Sequence, residues 1–486
     1  MGNRIYIVGA GQFGRAIARE IKDNGVVGDV IAFLDDDREK IGTIIDGIPV
    51  LGPVDACAGL LDKGHGAEAL IALPSVSRKR LNQVHEALKR ADFDRIRILP
   101  SVSQIVTADP HFVQARDMDP QDLLGREPVL IHLKESLSYV RGKRVLVTGA
   151  GGSIGSELSR QLLHGGAERL YLLGHGENSI WGIERELRRL QDAGVGEKAT
   201  IVPIIGELQD RDYMDFLLSR LKADVIFHCA AHKHVPMMES NPVEAMKNNV
   251  LGTHNLIEAA VQSSVGRFVL ISTDKAVEPA SVYGASKRIA EGLVLVQREA
   301  GRDFKVVRFG NVLGSRGSIM PLFKDQILSG GPVTVTHPDA RRWFMTIPEA
   351  VSLVLKTAGL DDGGLYLLDM GEPVRIVDFA RQMIRFYGFD EESIPITFIG
   401  MRPGEKKTER LWSDAETPRE TEHPRIVRVA TTGGKGIPAE TILEELLPIV
   451  RFDPDRPALF RNRRALRSIV NRHFPEVKDP EHEPEY

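Results

Sequence analysis

Residues 143–155 read KRVLVTGAGGSIG, and SELSRQLLHG follows. A β-branched run ends in a cluster of glycines, Gly149, Gly151, Gly152 and Gly155, and a helical pattern begins at once. This is the order of the first βα turn of a doubly wound sheet. Glycine permits the tight turn and the close approach of backbone to a pyrophosphate, and the helix start offers unpaired N–H groups to that anion. The same grammar stands at residues 4–14, RIYIVGAGQFG. Two such turns predict an α/β protein with two doubly wound domains.

Working outward, the helix after the first turn (15–24), an apolar strand, the acids Asp35, Asp36 and Asp37, and the strand ends GIPVLG and EALIALPS outline a small domain over 1–100. Residues 101–142 are less periodic and are expected to be a linker. From 143 onward LYLLG, ATIVPIIGE, DVIFHCAA, RFVLIST and FKVVRFGNVLG alternate with helical patterns, which argues for a parallel sheet in a second domain over 143–470. The end of the chain, FPEVKDPEHEPEY, is acidic and proline-rich, so a disordered tail is expected over 471–486.

The 486 residues exceed one compact core, and 42% hydrophobic with 27% charged residues is ordinary for a globular protein. A formal net charge of −4 gives no pull toward nucleic acid. The two cysteines, Cys57 and Cys229, cannot build a disulfide framework. No apolar run reaches the ~18 residues that span a bilayer, and no signal-peptide pattern opens the chain. A soluble cytoplasmic protein is expected, with no metal site.

At the second glycine turn the cofactor candidates are Gly149, Gly152, Ser153, Ile154 and Gly155. The strand after the next helix ends LLGHGEN, without the usual ribose-binding acid, and the nearest acid is Glu177, so NAD and NADP both remain open. Glu207, next to Leu208 in GELQD, is placed to accept from an adenine amino group or to be a solvated loop acid. Ala230 and Ala231 in HCAAHKHVP are small enough to admit the cofactor at a strand end. In the first domain Asp35 is a ribose candidate or a turn acid, and its glycine turn holds a nucleotide or only packs.

The stretch STDKAVEPASVYGASK, 272–287, contains Tyr283 and Lys287 one helical turn apart, on one face. A cation there is expected to stabilise phenolate and lower the Tyr283 pKa, making Tyr283 a base toward a hydroxyl as hydride leaves. The plain reading of Thr273, Asp274 and Lys275 is a helix cap with nearby charges.

Together TGAGGSIGSEL, AAHKHVPMMESNPVEAMKNNVLGT, STDKAV, RFGNVLGSRGS, VTVTHPDARRWFMT and RPGEK resemble the extended short-chain dehydrogenase/reductase superfamily. Within it the likeness is to nucleotide-sugar 4,6-dehydratases of the polysaccharide-biosynthesis group, which act on UDP-N-acetylglucosamine. It extends through DLLGR into the first domain. Large members of the group usually carry membrane helices before that domain, and many carry Met where Tyr283 stands. The tail EKKTERLW also departs from the group.

The resemblance implies two Rossmann-like domains, the second with a small C-terminal substrate lobe, a tightly held NAD or NADP, a UDP-sugar substrate and a homo-oligomer. It also implies a sequence of oxidation, elimination and reduction. Tyr283, supported by Lys287, takes the 4-OH proton, and Thr273 bonds the C4 oxygen. Lys275 takes the C5 proton, for which burial near Lys287 is expected to depress its pKa. Asp274, with a raised pKa, protonates the leaving 6-OH. Lys233, Asn248, Asn311, Arg316, Arg342 and Arg402 fall at substrate-binding positions. The competing readings are a 4-epimerase, which needs Tyr and Lys but not the Asp274–Lys275 pair, and a non-catalytic sugar-nucleotide-binding regulator.

Overall fold

The computed structural model describes residues 4–24, 29–59, 67–73, 76, 78–98, 116–117, 137–196, 198–431 and 436–480. The chain divides into two units, one of Met1–Leu130 with Arg381–Ile394, the other of Ile131–Ala380 with Pro395–Tyr486.

In the first unit the strands are β1 (Arg4–Val8), β2 (Asp29–Leu34), β3 (Ile44–Ile45), β4 (Ile48–Leu51), β5 (Ala67–Ile71), β6 (Arg95–Ile98) and β7 (Arg116–Asp117). They form one sheet in the order β3-β4-β2-β1-β5-β6-β7, parallel from β4 to β6. The period of two in RIYIV sends Ile5 and Ile7 to one apolar layer and Tyr6 and Val8 to the other, so the central strand is buried on both faces. Asp35, the ribose candidate, has both carboxylate oxygens occupied by backbone. Oδ2 accepts from Ala10 N at 2.7 Å inside the glycine turn, and Oδ1 accepts from Asp37 N at 2.9 Å. Of the expected linker, only Arg116–Asp117 and residues 137–142 are among the described residues.

The second unit continues with β8 (Arg144–Thr148), β9 (Arg169–Gly174), β10 (Thr200–Ile205), β11 (Val225–His228), β12 (Arg267–Ile271), β13 (Asp303–Arg308), β14 (Gly364–Leu368), β15 (Glu416–Glu420) and β16 (Ile426–Thr431). The sheet order is β10-β9-β8-β11-β12-β13-β14-β16-β15. The chain runs outward from β8 through β9 to β10, then returns to the other side of β8. The crevice outside the carboxyl ends of β8 and β11 is therefore the topological switch point, where ligands of such sheets bind. Short pairings, Asn311–Val312 with Phe344–Met345, Val333–Val335 with Ile396–Phe398, and Arg341–Arg342 with Val374–Arg375, build the small lobe beyond the strand ends.

The tail expected to be disordered from 471 is ordered over its first part. The helix Arg463–His473 runs into it, and Phe474 and Val477 are buried in the main core beside Leu466 and Val470. Two apolar side chains at the right spacing outweigh the acidic, proline-rich composition around them. Residues 481–486 lie outside the described residues.

Candidate active site

The glycine turn after β8 is shaped by what stands behind it. Gly149 has φ +64°, and a Cβ there would meet Ala230 N at 2.7 Å. A Cβ on Gly155 would meet Gly149 O at 2.3 Å. Only glycine lets β8, the strand end at Ala230 and the helix Ser153–His164 come this close. Gly152 is the N-cap of that helix and gives no side-chain cap, so no cap side chain occupies the helix's first N–H groups, which begin at Ser153 and Ile154. This cradle fits a dinucleotide pyrophosphate. Below it, neutral His228 bridges Thr148 (Nδ1···Oγ1 2.7 Å) and Thr253 (Nε2···Oγ1 2.8 Å), and burial pushes its pKa down to about 3. Glu177 opens the helix Glu177–Asp192 and is exposed, as is Glu207, while Leu208 is buried in the core. Ala230 and Ala231 line the turn after β11, half-buried.

The helix cap expected at Thr273 is present: its Oγ1 accepts from Lys275 N at 3.4 Å, opening a 3-10 turn over Asp274–Ala276. The same residues form a charged cluster. Asp274 is fully buried, and its Oδ1 accepts from Thr273 Oγ1 at 2.9 Å and Lys275 Nζ at 3.0 Å. Its Oδ2 has no protein donor. Lys275 Nζ also donates to Asn311 Oδ1 at 3.1 Å.

The helix Val282–Glu299 brings Tyr283 to this cluster and Lys287 to the end of β12. Its first N–H groups are held by Ser281 Oγ at 3.0 Å (from Gly284 N) and Glu239 Oε1 at 2.7 Å (from Val282 N). Gly284 lets the helix press on the turn, since a Cβ there would meet Lys275 O at 2.3 Å.

Two electrostatic expectations are corrected. Tyr283 is pushed up to about 12, because burial outweighs the nearby Lys275 charge and the Thr273 hydrogen bond. Lys287 Nζ instead donates to Ile271 O at 2.7 Å, and burial takes its own pKa down to about 8. Lys275 is raised rather than depressed. Burial alone would lower it, but Asp274 and Glu409 outweigh burial.

Of the substrate candidates, Asn311 sits on Lys275. Lys233 Nζ donates to Arg316 O at 2.6 Å, and Arg316 N donates to Ser153 Oγ at 3.1 Å, so these three meet over the glycine turn. Asn248 donates to Asn249 Oδ1 at 3.0 Å. Arg342 is buried, its Nη1 on Lys407 O at 3.0 Å. Arg402 is exposed and pairs with Glu405 at 3.2 Å.

Sequence reasoning missed two residues. Asn249 ties His232 (backbone N at 2.9 Å and O at 3.0 Å) to Ser286 Oγ at 3.0 Å beside Tyr283, from a π-turn at Lys247–Leu251. That irregular turn has no sequence signal of its own. Glu409, in the divergent EKKTERLW, is buried with Oε2 unpartnered and acts electrostatically on Lys275, Asp274 and Tyr283. Nothing in the sequence separates it from a solvated loop acid.

A family model described as polysaccharide biosynthesis protein matches residues 145–431, and one described as PglD N-terminal domain matches residues 4–80. The chain is 45% identical over 428 residues to the "Probable polysaccharide biosynthesis protein EpsC" of Bacillus subtilis, covering 87% of this chain and 71% of that protein. It is 30% identical over 282 residues to a "UDP-N-acetylglucosamine 4,6-dehydratase (inverting)" of Campylobacter jejuni, covering 57% and 79%. It is 32% identical over 279 residues to a "UDP-glucose 4-epimerase" of Rickettsia rickettsii, covering 56% and 79%. Among solved structures, Pen from Bacillus thuringiensis is 30% identical with a TM-score of 0.55, covering 61% of this chain and 90% of that one. Among the described residues no helix is long and apolar enough to cross a membrane. By the match over more than half its length and the breadth of the likeness to EpsC, the chain belongs to the polysaccharide biosynthesis protein family.

Proposed function

We propose that the chain is an NAD(P)-dependent 4,6-dehydratase of a UDP-N-acetylhexosamine, with UDP-N-acetylglucosamine the first candidate, making a 4-keto-6-deoxy sugar nucleotide. A dinucleotide held by its pyrophosphate in the glycine cradle would supply, through its nicotinamide, a hydride acceptor for C4 and a donor for C6.

The chain's residues supply the rest. Gly149, Gly152, Ser153, Ile154 and Gly155 receive the pyrophosphate. Tyr283 takes the C4 hydroxyl proton, and Thr273 steadies that oxygen. Lys275 takes the C5 proton as the neutral amine, after its ammonium proton has passed to water. Asp274 gives a proton to the departing C6 hydroxyl; its Oδ1 takes both protein hydrogen bonds, leaving Oδ2 free of them. Lys233, Arg316 and Arg342 suit the diphosphate by charge, Arg through its fork geometry, with Asn248 and Asn311 toward the sugar and Arg402 at the rim.

The observation that carries dehydration is the ion pair of buried Asp274 with half-buried Lys275, in addition to Tyr283 and Lys287. A 4-epimerase shares the scaffold, and one is about as similar to this chain as the dehydratase is. Epimerisation at C4 makes no use of an acid and a base for C5 and C6.

The deciding experiment incubates purified full-length protein with UDP-N-acetylglucosamine in deuterated water and reads the product by NMR. A 4-keto-6-deoxy sugar with deuterium at C5 is expected. A C4 epimer, with hydrogen retained at C5, would replace this reading by the epimerase. No turnover, with no nicotinamide dinucleotide in the denatured extract and none restored by adding either form, would favour the non-catalytic one.

A further inference from the structure

The motif RPGEK, residues 402–406, leads into an irregular segment that is fastened on two sides. On one side is the small lobe. Lys407 O accepts from Arg341 N at 2.8 Å and from Arg342 Nη1 at 3.0 Å, and Trp343 Nε1 donates to Glu409 O at 3.1 Å. On the other side is the stretch 276–281, which joins the turn carrying Lys275 to the helix carrying Tyr283. Gly404, at φ +75°, lies against Ser281 and Glu239, which both cap that helix: a Cβ on it would meet Ser281 Cβ at 2.8 Å and Glu239 Oε1 at 3.2 Å. Lys406 Nζ then donates to Val277 O at 3.0 Å and to Glu278 O at 2.5 Å, and Arg410 Nη1 donates to the Glu278 carboxylate at 3.0 Å.

What Lys406 grips would not hold its shape by itself. Glu278 has φ +43°, a left-handed backbone that a residue with a side chain enters at a cost. Pro279 follows, and proline biases the residue before it toward an extended backbone. The carbonyls of Val277 and Glu278 belong to the two peptide planes that flank the Glu278 Cα, so one ammonium bonded to both fixes that residue's two torsions. Immediately upstream, the 3-10 turn of Lys275 is closed by Ala276 N on Thr273 O at 3.2 Å and Val277 N on Asp274 O at 3.1 Å.

Resting on the dehydratase reading above, we propose that Lys406 is a positioning residue for the elimination: by gripping the carbonyls on both sides of Glu278 it fixes the turn that aims Lys275 at C5.

Tyr283 and Lys275 act on neighbouring positions, the C4 hydroxyl and the C5 hydrogen, so their separation has to be held closely. A displacement of about 1 Å can cost on the order of 10²-fold in rate. The Tyr283 helix keeps its place through Ser281 Oγ and Glu239 Oε1, neither of which depends on a bond from Lys406. Loosening the Glu278 turn should therefore separate the two steps, sparing oxidation at C4 and slowing proton removal at C5.

Full-length Lys406→Met and Lys406→Arg are compared with wild type. Single-turnover reduction of nicotinamide by UDP-N-acetylglucosamine and deuterium uptake at C5 are measured, and backbone amide exchange of the peptide spanning residues 274–281 is read by mass spectrometry. In Lys406→Met, C5 uptake is expected to fall ~10–100-fold, with nicotinamide reduction and the KM for the sugar nucleotide within about threefold of wild type. The Ala276 and Val277 amides should exchange faster. Lys406→Arg still offers donors to two carbonyls and should restore most of the C5 uptake. Unchanged C5 uptake in Lys406→Met, equal loss of both steps, or a raised KM with kcat kept overturns the proposal, the last by making Lys406 a substrate ligand. Wild-type protein that takes up no deuterium at C5 is the separate failure of the dehydratase reading, and amide exchange in Lys406→Met then still decides whether Lys406 holds the turn.

Discussion

Lys287 is a cation taken out of water: it is 4% exposed and titrates at about 8 in the fold against 10.5 in the open chain. Between those values the unfolded chain holds a proton that the folded one does not, so stability rises with pH across that window. The cost is full below pH ~8 and gone above ~10.5, on the order of 3 kcal/mol. Lys287→Met removes this term. The difference in denaturant midpoint between Lys287→Met and wild type, measured at both ends of the window, should therefore narrow as pH rises; a constant difference would contradict the burial assigned to this amine. Chemistry divides differently. Lys275→Ala and Asp274→Asn are expected to lower dehydration by ~10²–10⁴ while leaving nicotinamide reduction measurable in a single turnover. Tyr283→Phe should suppress the reduction itself. Equal loss of both steps in all three variants would mean that the cluster acts as one unit in oxidation, as in an epimerase.

The elements that carry these residues are locked together behind the site by a buried ion cluster. Arg308, at the end of β13, binds Glu291 (2.8 and 2.7 Å) on the helix that carries Tyr283, and Glu416 (2.9 and 3.0 Å) at the start of β15. Arg288 touches both acids, and Ser272, next to Thr273, donates to Glu291 at 2.6 Å. Burial alone would raise the Glu416 carboxyl, but Arg308 and Arg288 hold it down at about 2. Its contribution is present above pH ~4.5 and lost as pH falls toward 2. Glu416→Gln leaves Arg308 short of charge in a dry site and should cost ~3–5 kcal/mol near neutral pH. Its unfolding should also be less sensitive to acid below pH ~4.5 than that of wild type; parallel acid profiles would show that the cluster is not coupled to folding. At the cradle, Gly155→Ala forces a Cβ onto the Gly149 carbonyl and should cost roughly 1–3 kcal/mol. It should also release the bound dinucleotide, read as nicotinamide absent from the denatured extract.

At the scale of the molecule, the first unit is not made from one stretch of chain. Its apolar layer under β1 and β5 includes Phe386, whose ring stacks on His85 at 4.7 Å, with Tyr387 edge-on to Phe386 at 5.3 Å. Phe386→Ala removes that ring, and a truncation of this size typically costs ~3–5 kcal/mol. The expected calorimetric outcome is a lower transition for the first unit and an unmoved one for the second. A shift of both together would show that the two units unfold as one.

The sequence by itself determined the parts that depend on local spacing. A β-branched strand running into Gly149–Gly155 can turn only one way, so the fold class and the cradle were legible. Tyr283 and Lys287, one turn apart, could only share a helix face. What needed the tertiary structure was everything decided by burial and by partners distant in the chain. Phe474 and Val477 order a tail whose composition argues for disorder, because apolar area buried against a distant helix is invisible to composition. The directions in which Tyr283 and Lys275 titrate follow from desolvation and from Asp274 and Glu409, against the simple expectation from Lys287. Glu409 itself is a loop acid by every local measure. Only its anchoring to Trp343 and its place beside strand Arg341–Arg342 hold a carboxylate in the dark of the site, because a charge's surroundings, unlike a residue's spacing, are set by the whole fold.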